Sequence, residues 1–360
     1  VTEELTLIAR GREISGWTDV SVTRVADAFP NSFTIGMSWH DPVTDGAVVA
    51  AAGDPCEVRI GGETVITGYI DQDVAGGGAR NRFLRLVGRG KCQDLVDCVG
   101  EANTMQLLAA DALTISKALA APYGIDVVML NGATPGKEYP RWAQQFEEHS
   151  AEIIQRLAQN ANLMAYEDAL GRLAFAVVGT ARAASGVRYG DNVEEWSVQH
   201  SMNERYSEVQ CASLAIDVMG DIEGSNFFAT ERDPNVPRHR RAVIVLQEVA
   251  EDAQAFTIRK ARWEVTRRAG RSTVATVTID SWRDSAGALW APNTLVPVQL
   301  PGLRTAGPDM ILAEVTFRRD SSGTHADLVL MPPEAFAIEP VNPLPTATAE
   351  LLNPFAVPQP

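Results

Sequence analysis

Cysteine is scarce and never clustered: Cys56, Cys92, Cys98 and Cys211 are the only four in 360 residues, and none forms a CxxC pair. Zinc sites need four soft ligands at recognisable spacing, so no metal site is expected. Isolated thiols in apolar strands act as small buried filler, which suits folding in a reducing compartment. The five histidines (His40, His149, His200, His239, His325) are scattered, with no HExxH or HxH. No apolar run approaches the ~20 residues that cross a bilayer; the longest uncharged small-residue run is Gly46 to Gly53. Val1-Thr2-Glu3-Glu4 offers no basic region followed by an apolar one, so neither standard export nor a membrane anchor is expected. Basic residues are outnumbered 31 to 46, giving a formal charge of -15. That surface repels nucleic acid, so sequence-specific binding to it is not expected.

Catalytic patterns are missing as well. Glu147-Glu148 beside His149 suggests acid/base work, but the trio precedes a helix start, where the dipole favours acids. Gly76-Gly77-Gly78 lacks the Lys-Ser/Thr of a phosphate loop, and no GxSxG elbow occurs. Asp71 and Asp73 have no third ligand at calcium spacing. The expectation is a protein without catalytic residues or cofactor.

What is present reads as an ordinary folded chain, 45% hydrophobic and 21% charged, long enough for two or three cores. Phe33, Ile35, Met37 and Trp39 alternate as on one face of a strand, and Cys56, Val58 and Ile60 repeat the pattern. Gly61-Gly62 turns the chain into Val65-Ile66, and Gly-rich loops separate further short strands. From about residue 100 the period becomes helical. Leu107, Leu108, Asp111, Ala112, Ile115 and Leu119 predict one helix, capped by Asn103 or Thr104 and closed by Pro122. A second helix is expected from Ser150 as its cap, then a hairpin through Asp168 to Gly171 into a strand from Arg172 to Val178. β patterning returns after Gly186, broken by a helix with an Ala255, Ile258, Ala261, Val265 stripe, stopped by Gly270. The expected fold is therefore mainly β with an α/β insert. Residues 1–98 form a first small β-barrel, 99–180 the insert, and 181–338 a second barrel crossed by a helix over about 252–268. A Pro-rich extended arm, 339–360, completes the chain.

The two β regions look like copies of each other. Val20-Ser21-Val22, Arg24, Asp27, Phe33 and Ile35 overlay Trp196-Ser197-Val198, His200, Asn203, Val209 and Cys211 at a constant offset of 176. Later, Cys56–Ile60 matches Val296–Leu300, Val65–Val74 matches Met310–Arg319, and Arg82–Val87 matches Ala326–Met331. Three copies of a chain with two equivalent units present six units around an axis, so a threefold ring can meet a sixfold partner.

Five motifs carry a family resemblance: Glu13-Ile14-Ser15-Gly16-Trp17, Ile66-Thr67-Gly68-Tyr69-Ile70-Asp71, the stretch Gly88 to Cys98, Leu289-Trp290-Ala291-Pro292-Asn293, and Leu330 to Phe336. In this order they resemble the phage Mu-like tail protein P family, over about residues 4 to 340. The resemblance implies a homotrimeric baseplate hub of a contractile tail, related to the base of type VI secretion spikes. It further implies a spike protein below, the tail tube above, other baseplate proteins around it, and a place in the virion after synthesis in the host cytoplasm. It supplies no catalytic residues.

One segment is locally basic. Arg232 to Arg271 holds ten Lys and Arg against five acids, net +5 in a chain of -15. Arg238, Arg240 and Arg241 follow Pro237, while Arg259, Arg262, Arg267 and Arg268 ride the predicted long helix with Lys260. These arginines are the candidate intersubunit contact, where charge complementarity sets register; the alternative is a solvated helix face with snorkelling stems. Two other functions compete with a hub. A cell-wall hydrolase requires a carboxylate pair or metal set that the sequence lacks. A glycan-binding adhesin needs stacking tryptophans, yet Trp17, Trp196 and Trp282 are scattered as core residues are.

Overall fold

The computed structural model describes residues 4–38, 50–78, 82–101, 106–214, 226–246, 253–305 and 307–336. Trp39, His40, Asn103, Thr104, Asp252 and the Pro-rich arm lie outside these residues.

The chain is mainly β. The first part contains β1 (Leu5–Ala9), β2 (Arg12–Ile14), β3 (Asp19–Val25), β4 (Ser32–Ser38), β5 (Pro55–Ile60), β6 (Glu63–Gly77) and β7 (Arg82–Gly90). The middle part contains α1 (Gln93–Asp97), β8 (Gln106–Ala110), α2 (Ala112–Ala120), β9 (Val127–Leu130), β10 (Tyr139–Ala143), α3 (Ser150–Asn160), β11 (Met164–Glu167) and β12 (Leu173–Ala176). The last part contains β13 (Val187–Arg188), β14 (Val193–His200), β15 (Glu208–Leu214), β16 (Asn226–Arg232), β17 (Arg241–Leu246), α4 (Ala253–Arg271), β18 (Thr273–Ile279), β19 (Leu295–Gln299), β20 (Asp309–Asp320) and β21 (Gly323–Met331).

Thirteen strands from the first and last parts form one sheet, with β14-β18-β21-β20-β3-β4-β7-β6-β5-β1-β2 as its main path. Alternate residues point to opposite faces of a strand, so Leu5, Leu7 and Ala9, or Ala326, Leu328 and Leu330, fill one side. Both halves contribute to a single apolar core, in which Phe33, Ile35, Val58, Ile60, Val277, Val315 and Phe317 are buried.

The pairing proves a repeat and corrects its alignment. β3-β4-β7-β6-β5 and β14-β18-β21-β20-β19 are the same antiparallel order. Phe33 faces Gly88 as Ala275 faces Leu330, and Ile70 faces Gly88 as Leu312 faces Leu330. Those three equivalences share an offset of 242 residues (33 to 275, 88 to 330, 70 to 312). The bulges agree too, falling just after Ile70 in β6 and just after Leu312 in β20. The approach to β5 and β19 is likewise duplicated. Gly53 and Asn293, both left-handed with φ 89 and 64, donate their amides to the Ile70 and Leu312 carbonyls at 2.7 and 2.8 Å.

For the first strand the offset of 176 holds, since Val22 faces Phe33 as Val198 faces Ala275. It fails at the second. The counterpart of β4 is β18, not the strand holding Val209 and Cys211. Those residues belong to β15, which pairs with β16 and β17 in a separate sheet. In the last part, β15 to α4 intervene between two strands that are consecutive in the first. Cys56–Ile60 does match Val296–Leu300, but the next two pairs shift by three and two residues once the bulges are aligned.

The middle part packs a second core of Ile115, Leu119, Ile153, Ile154, Leu157 and Phe175. Here the expected helix from residue 104 is wrong in its first turn. Gln106–Ala110 is a strand paired with Tyr139–Ala143, which leaves Leu108 exposed. Helix α2 begins only after Asp111, whose carboxylate accepts from the Thr114 amide at 2.7 Å. An aspartate satisfying an orphan N–H is a strong start signal, and it outweighs the apolar spacing before it. Helix α3 starts as expected, but His149 occupies the cap position and Ser150 is the first helical residue.

Glu167 joins the middle part to the large sheet. Its buried carboxylate accepts from the Asn31 amide at 2.8 Å and the Cys92 amide at 2.9 Å. Burial pushes its pKa up to about 7, while the two backbone donors pull in the opposite direction.

Candidate subunit interface

Helix α4 places most of the basic strip. Its buried face is only partly the expected one: Ala261 and Val265 are covered and Ile258 is half-buried, but Ala255 is exposed, and Phe256, Lys260, Trp263 and Glu264 are covered as well. Phe256 and Ala261 pack with Cys211 and Leu246 of the β15–β17 sheet. Gly270 does not stop the helix, which runs on through Arg271. A Cβ on Gly270 would lie 2.2 Å from the Ala335 amide nitrogen, so glycine is needed for close backbone approach.

Lys260 is buried against Trp263, its Nζ 3.9 Å from the ring centroid, with Glu264 at 3.5 Å and the Gln159 carbonyl at 3.4 Å. Burial lowers its pKa to about 8, with Glu264 acting against that shift.

The seven candidate arginines divide by what they touch. Arg267 donates to Asp27 Oδ2 at 2.8 Å and lies over the Trp263 ring. Arg268 reaches Glu264 and Glu204, both at 3.2 Å, and stacks on Tyr206. Arg240 stacks on the same tyrosine and donates to the Met202 and Asn203 carbonyls. Arg262 pairs with Glu231 at 2.8 Å, and Arg259 lies over Phe256. Arg241 donates to Gln210 at 2.6 Å from the exposed end of β17, and Arg238 is exposed in the preceding loop. The strip is thus largely engaged with its own chain. Arg238, Arg241 and Arg262 are its exposed members, and Arg262 is held by Glu231.

Sequence reasoning missed two further arginines. Arg205 pairs with buried Asp233 at 2.5 Å, and Arg271 shares Asp27 with Arg267. Arg205, Arg267, Arg268 and Arg271 line an open cleft of about 330 Å³ together with Ser201, Asn203, Glu204 and Ser272. No local pattern signals it, because Arg205 and Asp27 are remote from the helix in sequence. Among the described residues, no three His, Cys, Asp or Glu side chains are grouped to hold a metal ion, and no helix is long and apolar enough to cross a membrane. The four thiols are free; Cys56, Cys92 and Cys211 are buried. Trp17 and Trp282 pack on the main core, but Trp196 is a correction: it stands partly exposed on β14.

Comparison with known proteins decides the family. Residues 4–90 match the N-terminal domain model of Mu phage baseplate assembly protein GpP-like proteins. Residues 92–177 match the second domain of baseplate hub protein gp44-like proteins, and residues 253–339 the fourth domain of Mu phage baseplate assembly protein GpP. The chain belongs to the Mu-type baseplate hub family. Baseplate hub protein gp44 of Escherichia phage Mu is 28% identical over 348 residues, covering 94% of this chain and 90% of that protein. The 43 kDa tail protein of prophage MuSo2 from Shewanella oneidensis superposes with a TM-score of 0.80 at 29% identity, over 93% of this chain and 99% of that one. A tail protein of Neisseria meningitidis MC58 shares the fold at a TM-score of 0.78 and 21% identity, over 93% and 99% of the two chains. The similarity to gp44 runs over 348 residues and so extends beyond the three domain matches into the region between residues 178 and 252.

Proposed function

We propose that this baseplate hub protein works as a ring of three copies that joins a sixfold tail tube to a threefold spike and anchors surrounding baseplate proteins. The observation that supports this reading is the repeated five-strand order, three of whose strands share an offset of 242 residues. A chain with two equivalent units supplies six units per three copies, and repetition of one heterologous contact closes such a set. On this reading each five-strand unit is the wall of a small barrel, and residues 1–98, 99–180 and 181–338 are its successive domains, with 339–360 as an arm toward a neighbour. The work is mechanical, needing neither cofactor nor catalytic residue, and the outward Arg238 and Arg241 meet acidic surface on a partner.

Light scattering of the purified chain tests it. The expected mass is three times the 38.8 kDa of one copy, and negative-stain images should show a ring. A stable monomer or dimer at high concentration would refute the ring. Release of fragments from peptidoglycan, or clear hits on a glycan array, would instead favour the hydrolase or the adhesin.

A further inference from the structure

Among the described residues, the two repeats share one strand pair, β20 against β3. Glu314 faces Val25, Thr316 faces Thr23, Phe317 faces Val22 and Arg319 faces Val20. Contact there is complete: the Thr23 and Thr316 hydroxyls lie 2.8 Å apart, and Val22, Val315 and Phe317 are all 0% exposed.

The repeat assigns each of these strands a counterpart, β6 for β20 and β14 for β3. Both counterparts lack the partner. Among the described residues, β14 pairs only with β18. The second half of β6, Gln72–Gly77, pairs only with β7, because β5 covers Glu63–Tyr69 alone. Among the described residues there is therefore one filled junction and the two halves of a second, unfilled one.

Exposure follows this difference. Val20 is 4% exposed beside β20, whereas its counterpart Trp196 is 36% exposed. Val315 and Phe317 are buried, whereas their counterparts Asp73 and Ala75 are exposed. Val74, Phe83 and Tyr189 add apolar surface to the two free edges, with Tyr189 against Trp196 at a centroid distance of 5.9 Å. Long edge strands are liabilities that proteins normally blunt or cover.

From these observations we infer that β14 of one copy adds antiparallel to the free edge of β6 on a second copy, in the register of the internal junction. Gln72 then faces Ser201, Val74 faces Gln199, Ala75 faces Val198 and Gly77 faces Trp196. The occupant is a second copy because the complementary edge is on this same chain, at the position where the repeat places it. Each copy has one edge of each kind, so the contact is heterologous and propagates until it closes. Main-chain hydrogen bonds supply the affinity, and covering Trp196 and Val74 supplies apolar burial. This inference rests on the ring proposed above and adds the surfaces that make it.

Cysteine pairs test the register. Val74 and Gln199 correspond to Thr316 and Thr23, whose hydroxyls touch, and both positions are exposed. Full-length copies bearing Val74→Cys are mixed with differently tagged copies bearing Gln199→Cys and oxidised, with the native chain and a Ser197→Cys partner as controls. The expected result is a reducible mixed dimer at least fivefold more abundant for Gln199→Cys than for Ser197→Cys. On a denaturing gel the double variant should run as a covalent closed ring that reduction converts to single chains. If copies associate by light scattering but show no preference for the in-register pair, the strand assignment is overturned and the ring survives. If the chain stays monomeric at every concentration, both fall.

Discussion

Asp27 accepts from Arg267 at 2.8 Å and so ties the first β region to helix α4 across most of the sequence. Arg271 shares the same carboxylate oxygen, and the acid is almost fully buried. Asp27 also holds a left-handed backbone, φ 61, a conformation that aspartate and asparagine tolerate better than most residues.

Removing this acid should leave two partly buried arginines without their partner. Asp27→Ala is expected to cost about 3 kcal/mol, the lower end for breaking a buried ion pair, because both arginines retain some solvent. Asp27→Asn should cost less, since it keeps the backbone preference. Urea unfolding of both variants would check the order; equal stability with the parent would remove the anchor role.

Glu167 should make stability pH-dependent. Its folded pKa of about 7 lies above the ordinary carboxylate value, so the folded chain holds this proton where the unfolded chain has released it. Its contribution is complete at pH below about 4 and is lost as pH rises through 7. The loss is at most about 3 kcal/mol, from the shift at 1.36 kcal/mol per unit. Melting temperatures from pH 4.5 to 7.5 should fall less steeply in Glu167→Gln than in the parent. Parallel curves would count against it.

Gly270→Ala pits two effects against each other. Alanine favours a helix interior by about 1 kcal/mol, but its methyl would meet the Glu334–Ala335 backbone. Overpacking against backbone costs about 1–3 kcal/mol, so the net expectation is a lower melting temperature. A rise would show that the turn at Pro333–Ala335 moves freely away.

Charge reversal separates the arginines by their partners. Arg240→Glu should loosen its own chain, because Arg240 holds the Met202 and Asn203 carbonyls. Arg241→Glu should leave folding nearly intact and weaken self-association or partner binding in a salt-dependent way. Sedimentation velocity of the Arg241 variant reads this directly; an unchanged profile at low salt would exclude the strip from assembly.

Much of this architecture was legible from residue order alone. Period-two patterns at Phe33–Met37 and Cys56–Ile60 located strands because one face of each must meet the core. The helix over residues 253–271 was visible too, with Ala261 and Val265 of its buried face, but the rest of that face was not. Lys260 and Glu264 occupy that face together, and charged residues signal exposure unless their partner is known. The strand at Gln106–Ala110 reads as helix because its pairing with Tyr139–Ala143 is a tertiary contact. The repeat was detectable at Val20–Val22 and lost at Phe33, where its counterpart lies beyond β15 to α4. Trp196 reads as a core residue for a similar reason: its counterpart Val20 is buried beside β20, whereas among the described residues no strand covers that edge of β14.

The last residue of β14, His200, lies opposite the first of β18, Thr273, and the Ser201 amide closes onto the Ser272 carbonyl at 2.8 Å. Among the described residues, those between them lie outside this sheet, and the chain leaves and re-enters it at one place. Replacing that excursion with a tight hairpin turn would sacrifice the clamps on Asp27 but keep the strands on either side in step. The appendage can thus be enlarged, shrunk or retooled without altering the strand order of the sheet.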